Sequence, residues 1–132
     1  MQKILDIHYF KDITPLTQTA KGAWLDIRAG KNLSLKKGKP AIIPLGFTMQ
    51  LPKGYQVIIE SNPITAEKRG IWLGHSIKIL KKSHTNGSNE WGLFAYPFRD
   101  THIKMNDCIG QFHVVGPCPL LTLREIDTLS EH

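Results

Sequence analysis

Apolar positions in this chain come in short runs separated by Gly, Pro, Asn or Lys about every ten residues. Helical periodicity is scarce. That punctuation is the pattern of an all-β sandwich or barrel. Ile4 to Phe10 predicts a strand. From Ala23 to Ala29, Trp24, Asp26 and Arg28 alternate with Leu25, Ile27 and Ala29, so the two sets point to opposite faces of a strand. Leu33 to Leu35 is a short strand, and Lys36 to Lys39 a turn. Ala41 to Phe47 and Thr48 to Leu51 are strand-like around Pro44 and Gly46. Tyr55 to Glu60, Ser76 to Leu80, Glu90 to Phe98 and Cys108 to Val115 complete the predicted strands. Thr65 to Gly70 predicts one helical turn with Gly70 as its C-cap. Lys81 to Asn89 is a polar loop, Lys104 to Asp107 a turn, and Leu120 to Leu129 a strand or short helix.

Composition changes the picture little. At 132 residues and 41% hydrophobic, the chain predicts one globular domain over 1–132 with a core of its own. There is no internal repeat, linker or low-complexity segment. No apolar run approaches the ~18 residues that a membrane span requires, so no membrane partner is expected. Met1 to Asp6 lacks the apolar core of a signal peptide, and a cytoplasmic location is expected. The net charge of +6 favours anionic partners such as nucleotides, nucleic acids or acidic proteins, although the lysines are dispersed. Cys108 and Cys118 form neither a CxxC pair nor a zinc pattern and predict free thiols. His8, His75, His102, His113 and His132 are scattered, with no carboxylate cluster among them, so no zinc site is assigned. No phosphate loop of the G-x-x-x-x-G-K-[ST] kind is present.

Several segments, in order, resemble the trimeric dUTPase family, in its Firmicutes and phage branch. Leu25-Asp26-Ile27-Arg28-Ala29 is similar to the first family motif. Ile43-Pro44-Leu45-Gly46 and Leu51-Pro52-Lys53-Gly54-Tyr55 resemble the approach to the second. Glu90-Trp91 and Phe98-Arg99-Asp100-Thr101 resemble the strands after the third. Asn106 to Phe112 resembles the fourth, a Gly-Asp-Arg-Ile-x-Gln-Phe pattern. The likeness spans roughly residues 20 to 115 and needs no gap between Pro52 and Phe112. It implies a jelly-roll-like β-barrel that assembles as a homotrimer, with active sites between subunits. The activity it implies is cleavage of dUTP to dUMP and pyrophosphate with Mg²⁺, by a water that one aspartate orients. Such chemistry rests mostly on positioning and charge compensation. A bacteriophage or prophage origin follows by resemblance only, and with it a host-cytoplasmic location.

Carried over position by position, the resemblance keeps the barrel and loses the chemistry. The second motif normally reads Pro-Arg-Ser. Its arginine falls on Asn62 and its serine on Pro63, followed by Ile64. Asn62 lacks the charged guanidinium fork, and Pro63 has neither hydroxyl nor N–H. A shifted register places Glu60-Ser61 there, which saves the serine and puts a carboxylate where phosphate must sit. In the third motif the apolar pair survives as Ile79-Leu80. The water-orienting aspartate becomes Lys81, which cannot accept a proton while charged but can hold an anion. The tyrosine that stacks under the deoxyribose becomes His84. Lys78, Lys81 and Lys82 read equally as a solvated loop face. Asp26 is kept, as a magnesium-linked carboxylate or as a strand residue paired with Arg28 or a lysine. Asp107 and Gln111 are kept as well; Gln111 reads as a phosphate ligand or as an interior amide satisfied by backbone. The Gly-rich C-terminal arm is absent: after Gly116 there is no glycine, and the apolar stretch Pro117 to Leu123 instead suits packing on a neighbouring subunit as an exchanged strand.

The leading expectation is therefore a phage-derived dUTPase homologue that is catalytically silent or strongly divergent. It would serve as a weak binder of a deoxynucleotide (dUTP or dUMP) or as a platform or decoy for a protein partner. No catalytic residue and no cofactor is assigned; Mg²⁺ enters only with the enzyme reading. The alternative is a working dUTP diphosphatase whose base and magnesium ligands are rebuilt from Glu60, Glu67, Glu90 or Asp107. A nucleic-acid module, pointed to by the charge and by Trp24, Trp72 and Trp91, is disfavoured because these tryptophans lie in strand-like runs where core packing explains them.

Overall fold

The computed structural model describes residues 4–18, 24–80 and 89–128. Its elements are β1 (Ile7–Tyr9), β2 (Leu25–Arg28), β3 (Leu33–Leu35), β4 (Ala41–Pro44), β5 (Phe47–Met49), β6 (Gln56–Glu60), α1 (Pro63–Arg69), β7 (Ile71–Ile79), β8 (Trp91–Pro97), β9 (Thr101–Ile103) and β10 (Cys108–Val115). Every pairing is antiparallel. Two three-stranded sheets, β2–β10–β6 and β4–β8–β7, are joined by the two-stranded pairs β1–β5 and β3–β9. This is the jelly-roll barrel of the dUTPase type that the motif order predicts.

Alternation sets the core. Ile27, Ile59, Phe112, Ile43, Leu93, Ala95, Ile71 and Leu73 point inward from the two larger sheets. Phe47 lies among them, its ring centre 5.3 Å from that of Trp91 and 6.3 Å from that of Phe112. The sheets approach closely: a Cβ on Gly110 of β10 would come within 2.5 Å of the Leu73 methyl of β7. At Gly30 the close approach is to backbone, because a Cβ there would stand 2.6 Å from the Gly46 nitrogen.

Several boundaries differ from the sequence reading. The first strand shortens from Ile4–Phe10 to β1. The Ala41–Phe47 run divides at Gly46, whose φ of 79° no strand accommodates. The helix starts two residues earlier than Thr65, because Asn62 caps it and Pro63 fills its first turn. The strand read as Ser76–Leu80 begins at Ile71, immediately after Gly70 ends the helix in a left-handed conformation. Thr101–Ile103, which lies in none of the strands read from the apolar runs, pairs with β3. The tail expected as strand or helix from Leu120 has no regular structure through Thr128, and Leu120, Leu121 and Leu123 are exposed. The tryptophans do not all pack inward: Trp91 is 4% exposed, but Trp72 is 48% exposed. Among the described residues no helix is long and apolar enough to cross a membrane.

Candidate functional site

Asp26 on β2 and Gln111 on β10 stand directly opposite in the sheet register, so they share one face although 85 residues separate them. The Gln111 amide donates to Asp26 Oδ1 at 3.3 Å. Arg28, two residues along β2 and therefore on the same face, reaches Asp26 Oδ2 at 3.5 Å. Gln111 is thus satisfied by a carboxylate rather than by interior backbone. Glu60 on β6 is the partner of Gln111 on its other side, exposed to solvent. A cleft of about 400 Å³ opens over Asp26, Arg28 and Gln111, lined also by Trp24 and by Thr14 to Thr17. The Trp24 indole stacks on His113 with ring centres 3.6 Å apart.

Asn106 fastens two residues that line that cleft, Thr14 and Arg28. It has a φ of 74°, a left-handed conformation that Asn tolerates better than most residues and that explains the glycine of the family pattern. Its side chain accepts from the Thr14 N–H at 2.7 Å and donates to Thr14 Oγ1 at 2.9 Å. Its carbonyl accepts from Arg28 Nη1 at 2.9 Å. One residue thereby ties the segment before β2 to the β9–β10 turn and orients Arg28. No local signal announces this, because Thr14 and Asn106 meet only through the fold. Arg28 itself was legible, standing two positions from Asp26 on a strand.

The second-motif positions lie elsewhere, at the start of α1. Asn62 is the N-cap, its Oδ1 accepting the Ile64 N–H at 2.8 Å. Pro63 stands in the first turn and Ile64 is 80% exposed. In the shifted register, Ser61 Oγ is already engaged, accepting the Leu73 N–H at 3.4 Å. Ile79 lines a different cleft of about 420 Å³ with Tyr55, His75 and Trp91. The Leu80 N–H bonds the Glu90 carbonyl at 2.8 Å, and its side chain covers Gly92. Lys81 and His84 lie outside the described residues.

Two of the four carboxylates that a rebuilt site would draw on, Glu90 and Asp107, have structural partners. Glu90 Oε2 accepts the Gly46 N–H at 2.8 Å and so fixes the β4–β5 corner. Asp107 Oδ2 accepts the Lys104 N–H at 2.8 Å and pairs with Arg69 at 3.3 Å. Arg69 also donates through Nε to the Cys108 carbonyl at 3.0 Å, which fastens α1 to β10. Both cysteines are free thiols. Burial, and next the nearby Asp26 carboxylate, push the Cys108 thiol up from its ordinary value, against a Gly110 backbone contact, Arg28 and Arg69. Among the described residues no three His, Cys, Asp or Glu side chains are grouped closely enough to hold a metal. Asp26 is the carboxylate that lines this cleft, and its two oxygens accept from Arg28 at 3.5 Å and from Gln111 at 3.3 Å.

Comparison with known proteins decides the family. The SPbeta prophage-derived deoxyuridine 5'-triphosphate nucleotidohydrolase YosS of Bacillus subtilis is 32% identical over 116 residues, 88% of this chain and 82% of the relative. The chain belongs to the dUTPase family. The corresponding enzyme of Beijerinckia indica is 29% identical over 123 residues, 89% of this chain and 74% of its own length. Among solved structures, a mutant dUTPase of phage phi11 of S. aureus superposes with a TM-score of 0.70 at 13% identity, covering 96% of this chain and 98% of that one. That protein coordinates a structural Mg(II) ion. A mutant dUTPase of Staphylococcus bacteriophage 80alpha, solved with dUpNHpp, gives a TM-score of 0.67 at 14% identity over 98% of this chain and 94% of that one. At such identities the structural likeness shows the fold alone. No family model matches the chain. Asp26 and Gln111, which the resemblance assigns to the first and fourth motifs, stand in one row of this sheet.

Proposed function

We propose that this dUTPase-family chain is catalytically silent toward dUTP and acts as a homotrimeric module that holds a deoxynucleotide weakly or docks a protein partner. The observation that carries the reading is the start of α1. Where the family places Arg-Ser, Asn62 uses its oxygen to cap its own helix and Pro63 offers no N–H. A triphosphate meets neither a guanidinium nor a hydroxyl there. Glu90 and Asp107 are held by backbone N–H groups and Arg69, so neither is free to act as a substitute base. The nucleotide-pocket positions remain Asp26, Asn62, Pro63, Ile64, Ile79, Leu80, Lys81, His84 and Gln111, with Lys81 as an anion holder in place of the water-orienting aspartate. The exposed apolar Leu120, Leu121 and Leu123 suit exchange onto a neighbouring subunit of the trimer. A phage or prophage origin and a host-cytoplasmic location agree with the prophage-derived relative. The platform role has a precedent in the 80alpha dUTPase, which is described as controlling transfer of virulence genes by a proto-oncogenic G protein-like mechanism.

The second reading, an ordinary dUTP diphosphatase, is favoured by the names of the relatives. Chromatographic assay of dUTP with Mg²⁺ separates the two. The silent reading expects no dUMP above background and a small rise in melting temperature with dUTP or dUMP, since a ligand of the folded state stabilises it by mass action. Turnover within about a hundredfold of the Bacillus subtilis relative, abolished by Glu60→Gln, Glu67→Gln, Glu90→Gln or Asp107→Asn, establishes the second reading; about a hundredfold corresponds to roughly 2.7 kcal/mol of transition-state stabilisation.

A further inference from the structure

The outward face of the β4–β8–β7 sheet is aromatic. Ile42 stands opposite Phe94, and Trp72 opposite Tyr96, so the four share one side. The Phe94 and Tyr96 rings are 6.4 Å apart and 29° from parallel, and Trp72 lies 6.0 Å from Phe98. Trp72 and Tyr96 are 48% and 46% exposed. The solvent side of an antiparallel sheet is ordinarily polar, and contiguous aromatic surface of this kind marks a binding face.

Charge on this face has one sign. The strands β4, β7 and β8 contain no Asp or Glu. Lys78 Nζ stands 5.1 Å above the Phe94 ring, and the Arg99 guanidinium 5.4 Å above Phe98. The Lys36–Lys39 turn hangs on the end of β8 through the Gly38 N–H to the Pro97 carbonyl at 2.9 Å, and its three lysines are exposed. Asp100, at the same rim, accepts the Lys37 N–H at 2.9 Å.

We propose that this face binds single-stranded nucleic acid, with bases stacked on Trp72, Phe94 and Tyr96 and phosphates drawn to Lys78, Arg99 and the Lys36–Lys39 turn. Flat apolar rings bordered by cations match a polyanion whose bases are unpaired. A duplex hides the faces of its bases. The inference is independent of whether dUTP is bound or cut.

Fluorescence anisotropy with a labelled oligothymidylate of roughly 20 nucleotides, longer than a typical site of roughly 4–16, tests it on the full chain. Binding is expected to weaken steeply with salt and to quench tryptophan emission. Tyr96→Ser or Trp72→Ser is expected to weaken it about five- to a hundredfold, the loss of one stacked base. Lys39→Glu, in an exposed turn, is expected to weaken it several-fold without disturbing the sheet. Absence of binding at low salt overturns the proposal, as does wild-type binding without tryptophan quenching, which remains readable if an aromatic variant fails to fold. Undiminished binding by folded Tyr96→Ser and Trp72→Ser reduces the effect to general attraction and also overturns it. So does a change of oligomeric mass in those variants by light scattering, which assigns the face to a second copy.

Discussion

The two larger sheets lie over one core, and the side chains on their outward faces follow opposite rules. On β2–β10–β6 the outward row is Asp26, Gln111 and Glu60, flanked by Arg28; Gln111 bonds Asp26 across the strands and Arg28 pairs with Asp26 along β2. On β4–β8–β7 the outward row is Ile42, Phe94, Tyr96 and Trp72, without a carboxylate in any of the three strands. The first face is where the family's first and fourth motifs meet. The second meets the likeness to the third motif at Ile79, where β7 ends, and it carries the exposed apolar side chains Ile42, Trp72 and Tyr96. The paired polar row and the exposed aromatic rings therefore occupy different parts of the barrel.

The contrast is sharpest when the shared core is taken as the reference. Phe112→Ala beneath the polar face and Leu93→Ala beneath the aromatic face should each lower stability by about 3–5 and 2–5 kcal/mol, respectively, by denaturant melts, since both side chains are fully buried. Equal costs on the two sides confirm one common core. Asn106→Ala should cost about 2–3 kcal/mol, because it forces a positive φ on alanine and releases Thr14. Asn106→Gly should recover the backbone part of that loss and not the clamp. Tyr96→Ser on the aromatic face should change stability by less than about 1 kcal/mol, as expected for a half-exposed ring. A loss as large as that of Leu93→Ala would show that this face is covered in the native assembly.

The smallest effect concerns the thiols. Cys108 has its pKa raised in the folded state, chiefly by burial, so folding favours the protonated thiol. Its contribution to stability is complete below the unfolded value, near the ordinary 9.0, and is lost as pH rises through the folded value. Melting temperature should therefore fall more steeply on the alkaline side in the wild type than in Cys108→Ala. A disulfide reagent at mildly alkaline pH should modify exposed Cys118 quickly and Cys108 slowly.

Much of the barrel was legible in the chain. Alternation identified β2, short apolar runs between turn residues identified β6, β8 and β10, and Gly70 was readable as a helix end. The start of β7 was missed because a helix cap, a glycine and an outward tryptophan interrupt the pattern at Gly70 to Gly74. β9 has only three residues, too few for a period to show. At Asn62-Pro63 the residues were read as a lost phosphate grip. They are also an N-cap followed by a first-turn proline, a local helix-start signal that the Thr65–Gly70 reading did not use. The clamp between Thr14 and Asn106 left no trace in the sequence, since 92 residues separate its halves.

The sequence by itself determined its strand-like runs, the order of the segments that resemble the family motifs, and which residues, Asn62, Pro63 and Lys81, stand where that resemblance puts the chemical positions. Those are properties of single positions and short spacings. It did not determine which alternate set of a strand faces water. Period two defines two faces and leaves their direction to the neighbouring sheet. Tertiary packing made that choice, turning Trp91 inward against Phe47 and Trp72 outward beside Tyr96 and Phe98. It also decided that Asp26 directs its charge to Arg28 and Gln111, because only strand pairing between β2 and β10 brings residues so distant in the chain within hydrogen-bonding reach.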